Sequence, residues 1–218
     1  IGHSMGGILS RLMVSSSESR LWDAFLKKYP LKGSRLETVR KELGPYMIFD
    51  ALQQVNRVTF IATPHKGTPL AEIAPVRWIA GIVTVPLSVL GRFTEVAKLL
   101  VDPGSANPVS LTRPFNSIDN LSSHDPFIRA VAEIPVSPRV HYHSIIGCTT
   151  PDLPLYESND GVVPYASAHL DGADSEQVIQ SGHSVQETPE AIIEIRRIMH
   201  LHLKEPDKEL SGMKKILP

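Results

Sequence analysis

The sequence predicts an α/β fold, a mostly parallel sheet with helices packed on it. Three observations predict it. Arg57-Val58-Thr59-Phe60-Ile61-Ala62 is a short, nearly unbroken apolar run closed by Thr63-Pro64-His65-Lys66-Gly67, which suits a strand buried on both faces of a parallel sheet. The opening Gly2 to Gly7 reads as a tight glycine-rich turn that runs straight into residues at helical spacing. Strand-like and helical segments then alternate to the end of the chain, the pattern of the α/β class.

Taken in order, Ile8, Leu9, Leu12 and Met13 fall at i, i+3, i+4 spacing and predict a short buried helix, ended by the polar run Ser15-Ser16-Ser17-Glu18-Ser19. Weaker helical stretches follow near Leu21 to Tyr29 and Leu36 to Leu43, ahead of the strand over 57–62. Residues 68–138 differ in character. They are rich in Pro and apolar side chains, with helical patches at Phe93 to Leu100 and Phe127 to Glu133, and they offer no clear sheet strand. Strand character returns at Val140 to Ile146 and more briefly at Gln177 to Gln180. The last element is a helix from Pro189 to Leu203, with Thr188 as N-cap, Pro189 at the first helical position, and Ile192, Ile195, Ile198 and Met199 along one face. The chain therefore divides into 1–67 and 139–218, two parts of one core, around an insertion at 68–138 packed over the sheet.

Bulk properties exclude several classes of function. With 218 residues the chain is long enough for one domain with a sizeable core. Its 22 Lys+Arg stand against 23 Asp+Glu, so no basic excess exists to hold a nucleic-acid backbone. Cys148 is the single cysteine, which rules out an intrachain disulfide and a cysteine-based metal site and does not decide the compartment. Envelope, secreted and cytoplasmic placements all stay open. The longest apolar run, Ile79 to Leu90, is interrupted by Gly81, Thr84, Pro86 and Ser88 and is shorter than the ~20 residues a spanning helix needs. The chain opens Ile1-Gly2-His3-Ser4 with neither an initiator Met nor a charged leader, which reads as the cut end of a longer polypeptide.

Three short segments carry chemistry. Gly2-His3-Ser4-Met5-Gly6 fits G-x-S-x-G, in which small neighbours let a strand and a helix meet at a sharp turn that lifts a serine hydroxyl clear of the sheet. The Met5 amide, at the start of that helix, would then face a developing oxyanion. Chance supplies about 0.07 such matches in a chain of this length, and a glycine turn capping a helix is the plainer use of the same residues. Asp160 lies in Ser158-Asn159-Asp160-Gly161-Val162-Val163-Pro164, after the strand ending at Ile146, and His183 lies in Ser181-Gly182-His183-Ser184, between the last strand and the last helix. Alone, Asp160 is an Asx turn before a glycine and His183 one of nine histidines. Jointly, the order Ser, Asp, His and the placement past strand C-termini favour a catalytic triad.

These residues carry a resemblance. Gly2-His3-Ser4-Met5-Gly6-Gly7, Thr63-Pro64-His65-Lys66-Gly67-Thr68, Asn159-Asp160-Gly161-Val162-Val163-Pro164 and Gly182-His183, in that order, resemble the α/β-hydrolase superfamily and its bacterial lipase-like members. The resemblance implies an α/β-hydrolase fold with Ser4 as nucleophile, Asp160 as triad acid and His183 as general base. It implies acyl transfer through an acyl-enzyme, with no cofactor or metal. It also implies a helical lid or cap at 68–138, where an interfacial contact with lipid would fall. The strands that precede the elbow in that family, and the loop giving a second oxyanion donor, are missing ahead of Ile1. The chain as given is accordingly expected to be a poor enzyme with one open sheet edge.

Other candidates compete. Asp152, in the same loop as Asp160, is the rival for the triad acid, with Pro151-Asp152 reading as turn chemistry. His141 and His143 share a strand face but lack a third ligand at usual spacing, so a structural role is expected. His200 and His202 do not share a helix face. His65 either shapes the acyl pocket or anchors its loop by a hydrogen bond. Cys148 reads as a small residue at a strand end. Trp78, Ile79, Ile82, Val83, Val85, Leu87 and Leu90 either wall an acyl-chain pocket or serve as scaffold. The leading function is hydrolysis of carboxylic esters of lipid or other hydrophobic acyl groups. An acyltransferase or amidase with the same triad, and a non-catalytic hydrolase-like binding domain, remain alternatives.

Overall fold

The structure, a computed structural model, describes residues 1–69, 123–124 and 126–204. It is a mixed α/β fold. Four parallel strands, β1 (Gly2–His3), β2 (Arg57–Ile61), β3 (His141–Gly147) and β4 (Ser175–Ile179), lie side by side in chain order. In register, Gly2 pairs with Phe60, Phe60 with Ser144, and Ser144 with Glu176. Neighbouring parallel strands need a crossover connection, and here helices supply them.

The strand residues alternate between two covered faces, as the pleat requires. Val58 and Phe60 meet Val14 and Val140 on one face, while Ile61, Ile145 and Ile179 meet Val185, Ala191 and Ile195 on the other. Each fully buried Phe or Ile on these faces contributes about 1.5–3 kcal/mol by leaving water. The first face carries α1 (Met5–Met13), α2 (Arg20–Lys28) and α4 (Pro126–Glu133), joined through Ile8, Leu21, Ile128, Val131 and Ile134. Helix α3 (Gly33–Met47) stacks outside them, with Val39 and Leu43 against Trp22. Arg11 of α1 is buried and donates from Nη2 to the carbonyls of Ala132 and Ile134 at 3.0 and 2.8 Å. A guanidinium at the end of α4 satisfies carbonyls the helix leaves free, and burial lowers its pKa to about 10, so it stays charged at neutral pH.

Within the polar run after α1, Ser15 and Ser17 are buried at a junction of the chain. The Ser17 amide donates to Phe49 O at 2.9 Å, the Phe49 amide returns a bond to Ser17 Oγ at 2.9 Å, and Ser15 bridges Val136. A short helix α5 (Tyr165–Ala168) precedes β4, and α6 (Pro189–Lys204) closes the described chain. Thr188 Oγ1 accepts from the Ala191 amide at 3.2 Å, the N-cap bond expected of it. The inward face of α6 differs from the expectation. Ala191, Ile195 and Ile198 turn in, but Ile192 and Met199 are 55% and 54% exposed. At 3.6 residues per turn those two lie roughly 75–95° round from the centre of the 191–195–198 stripe, and buried Glu194 lies on its other side.

Residues 70–122 lie outside the described residues, and with them the apolar run Ile79 to Leu90, the pocket candidates from Trp78 to Leu90 and the helical patch at Phe93 to Leu100. Of the segment 68–138, the described parts are Thr68–Pro69 and the residues from 123 on, except 125, where α4 packs into the helical layer on α1 and α2.

Candidate active site

Ser4 stands between β1 and α1 with φ 54° and ψ −127°. A non-glycine residue held at positive φ carries about 1–3 kcal/mol of strain and persists only where its surroundings fix it. Here they do: the Ser4 amide donates to Ile61 O at 2.9 Å, and Ser4 O accepts from the Gly7 amide at 2.9 Å. Close approach at the turn rests on Gly2 and Gly7. A Cβ on Gly2 would stand 2.5 Å from Ser10 Oγ, and one on Gly7 would stand 1.8 Å from Thr63 Oγ1. Gly6 has nothing within 4 Å of such a position, so the second small residue that sequence reasoning placed at Gly6 is required at Gly7.

Asp160 is set by its own turn. Oδ1 accepts the amides of Val162 and Val163 at 2.8 and 2.6 Å, the Gly161 amide donates to Asn159 Oδ1 at 2.8 Å, and Gly161 has φ 89°. The local Asx-turn reading and the functional reading of Asp160 are therefore compatible: one carboxylate oxygen builds the turn and leaves the other free. That second oxygen, Oδ2, lies 2.8 Å from His183 Nδ1. His183 Nε2 lies 2.9 Å from Ser4 Oγ. All three residues are buried, with exposures of 9% for Ser4, 3% for Asp160 and 6% for His183. A carboxylate only accepts, so Nδ1 carries the proton and Nε2 presents its lone pair to the hydroxyl, an assignment made from the network.

Two segments bring the loops together. Gly147, the last residue of β3, is pressed by both: a Cβ there would lie 2.7 Å from Gly182 O and 3.0 Å from Asp160 Cβ. Cys148, buried as expected of a small residue at a strand end, accepts from the Ser181 amide at 3.1 Å and donates to Ile179 O at 2.8 Å. The Thr63 to Thr68 segment clamps the far side. Thr68 Oγ1 donates to Val162 O, the Lys66 amide donates to Ser167 Oγ at 3.1 Å, and Ser167 Oγ donates to Gly67 O at 2.6 Å. Met5 is the first residue of α1, and its amide is one of the donors a helix leaves without an intrahelical partner.

The remaining candidates separate from this centre. Asp152 is exposed. His65 is buried edge-on to Phe60 with ring centroids 4.7 Å apart, and neither ring nitrogen has a hydrogen-bond partner, so it anchors its loop by packing rather than by a hydrogen bond. Burial, then the charges of Arg11 and Lys66, hold its pKa well below the usual histidine value. His141 pairs with Asp174 at 2.7 Å, while buried His143 lies between Arg57 Nη1 at 2.6 Å and Ser175 Oγ at 2.8 Å. His200 and His202 are exposed on α6. Among the described residues no group of three or more His, Cys, Asp or Glu side chains could hold a metal ion, and no helix is long and apolar enough to cross a membrane.

Two features escaped sequence reasoning. His3 Nε2 lies 2.9 Å from the carbonyl oxygen of His183; the signal available was a histidine directly beside the motif serine. Gly147 gave no signal beyond a glycine closing a predicted strand.

No family model matches the chain, and no curated protein matches it in sequence. Solved structures resemble it at low identity. EstA from Clostridium botulinum is 17% identical with a TM-score of 0.45, over 85% of this chain and 58% of that one. The mature form of a Bacillus licheniformis lipase is 15% identical with a TM-score of 0.37, over 84% of this chain and 74% of that one. A metagenomic carboxyl esterase is 20% identical with a TM-score of 0.32, over 59% of this chain. The match spans 36% of that esterase's length.

Proposed function

We propose that this chain carries the reaction centre of an α/β-hydrolase that cleaves carboxylic esters. The observation that carries the proposal is the hydrogen-bonded line Asp160–His183–Ser4, with a strained serine at a strand-to-helix turn. In this reading Ser4 Oγ bonds to the ester carbonyl carbon while His183 Nε2 takes its proton. His183 then gives that proton to the leaving alkoxide as the C–O bond breaks. Water repeats the sequence on the acyl-enzyme, returning a carboxylic acid and free Ser4. Asp160 holds the Nδ1–H tautomer and stabilises the imidazolium, and the Met5 amide donates to the oxyanion. The acyl group is assigned to the hydrophobic class on the composition of 68–138.

The test is covalent labelling of the full chain with a fluorophosphonate probe, alongside turnover of p-nitrophenyl esters of increasing chain length. Labelling at Ser4, lost in Ser4→Ala, together with ester turnover, is the expected result. A folded protein in which Ser4 takes no label would leave a binding domain as the function.

A further inference from the structure

His3 separates the elbow's first glycine from Ser4, and acyl transfer by Ser4 requires no histidine there. Its ring is half-buried, with Nε2 2.9 Å from the backbone carbonyl oxygen of His183. The two imidazoles lie 5.0 Å apart, tilted by 47°. A carbonyl oxygen only accepts, so His3 Nε2 carries a proton. Burial, opposed by that hydrogen bond, leaves the His3 pKa below its usual value, with the charges of His183, Asp160 and Glu187 acting on it as well. The ring is therefore a neutral Nε2–H donor at neutral pH.

The position of this bond gives it meaning. His183 lies in the loop between β4 and the 3₁₀ turn Val185–Glu187. The loop is tied before His183 by the Ser181 amide to Cys148 O, and after it by Ser184 O to the Glu187 amide. Between those ties the imidazole must reach Asp160 and Ser4 together. The His3 bond fixes a third point, the main chain of His183 itself. Because His3 and Ser4 are consecutive, the strand that presents the hydroxyl also holds the backbone of the ring that must meet it.

We infer that His3 is a positioning residue whose Nε2–H, bonded to the His183 carbonyl, keeps the His183 imidazole in reach of Ser4. The inference rests on the ester-hydrolase reading for its kinetic consequence, while its structural consequence stands without turnover. Removing the donor takes away this tie between the elbow and the His183 main chain and widens the range of Nε2–Oγ geometries. Misplacement on the scale of 1 Å costs up to ~10²-fold in rate.

The experiment compares His3→Phe, which keeps a ring but no donor, with His3→Gln, which carries an amide N–H near the place of Nε2. His3→Ser, too short to reach the carbonyl, is a second donor-less variant should the phenylalanine variant not fold. Expected is a fall in kcat of about 10- to 100-fold for the donor-less variants with KM changed by less than about 2-fold, and recovery of most of the loss in His3→Gln. In the free protein, the downfield imidazole proton of His183 Nδ1–H, identified by its loss in Asp160→Asn, should broaden in His3→Phe and sharpen again in His3→Gln. That resonance needs no substrate, so absence of probe labelling at Ser4 would sink the hydrolase reading and leave the His3 test intact. Donor-less variants with unchanged kcat and an unchanged Nδ1–H signal would overturn the inference. So would equal losses in all three variants that track their melting temperatures, which would reduce His3 to packing.

Discussion

Gly147 and Gly182 approach so closely that a Cβ on Gly147 would stand 2.7 Å from the Gly182 carbonyl oxygen. The same added carbon would press on Asp160 Cβ at 3.0 Å, so one methyl group pushes on both loops of the site. Gly147→Ala should lower kcat by about 10- to 100-fold and stability by about 1–3 kcal/mol. Steady-state kinetics and a urea midpoint check it, and a variant with unchanged kcat would show that these loops move apart freely.

Gly6 and Gly7 should respond in opposite directions. Gly7→Ala drives a carbon to 1.8 Å from Thr63 Oγ1 and should cost at least 1–3 kcal/mol. Gly6 sits inside α1 with open space around it, so Gly6→Ala should gain about 0.5–1 kcal/mol through helix propensity. Chemical denaturation of both variants reads the difference directly.

Ser4 sets function against stability. Ser4→Ala should lower turnover by about 10⁶-fold, and a variant keeping a tenth of the activity would exclude Ser4 as nucleophile. Ser4→Gly should be equally inactive yet more stable by about 1 kcal/mol, because glycine adopts positive φ without the strain. A melting temperature below wild type would show that the turn is unstrained.

The two loop carboxylates should differ sharply. Asp160→Asn removes the acceptor that fixes His183 and should cost about 10⁴-fold in kcat. Asp152 is exposed, and Asp152→Asn should stay within about 2-fold of wild type. The reverse ranking in ester turnover would transfer the acid role.

Stability should fall on acidification through His65. Folded, its pKa is held well below the usual value, whereas unfolded it protonates near ~6.5. Between those values the unfolded chain binds the extra proton, so stability is full above ~6.5 and declines as pH falls, by about 1.4 kcal/mol per unit for one proton. His3 and His143 are lowered in the same direction. His65→Leu should therefore flatten part of the slope below pH 6.5, measured as urea stability against pH, and an unchanged slope would place the proton uptake elsewhere.

Elements were legible where the pattern is local. β2 stands out because a strand buried on both faces reads as a nearly unbroken apolar run, and α6 because Thr188-Pro189 is a start signal written in sequence. The inward face of α6 was less legible: Ile192 and Met199 have the right chemistry, but small Ala191 lets the helix settle on the sheet at a different rotation. In the site, the turn chemistry of Asn159-Asp160-Gly161 is local and readable. The His3–His183 bond is not, because its acceptor is a main-chain carbonyl 180 positions away that no side-chain pattern encodes.

The strand order has a consequence for folding. Ser4 and His183 are 179 positions apart, and the sheet runs β1 to β4 in chain order, so their contact exists only once the last strand has docked. Closing so long a loop costs entropy that no local contact offsets along the way. The serine should therefore acquire its reactivity late and cooperatively. A phosphonate pulse given during refolding would count completed molecules alone, and a collapsed chain with helices and three strands in place would still escape the label.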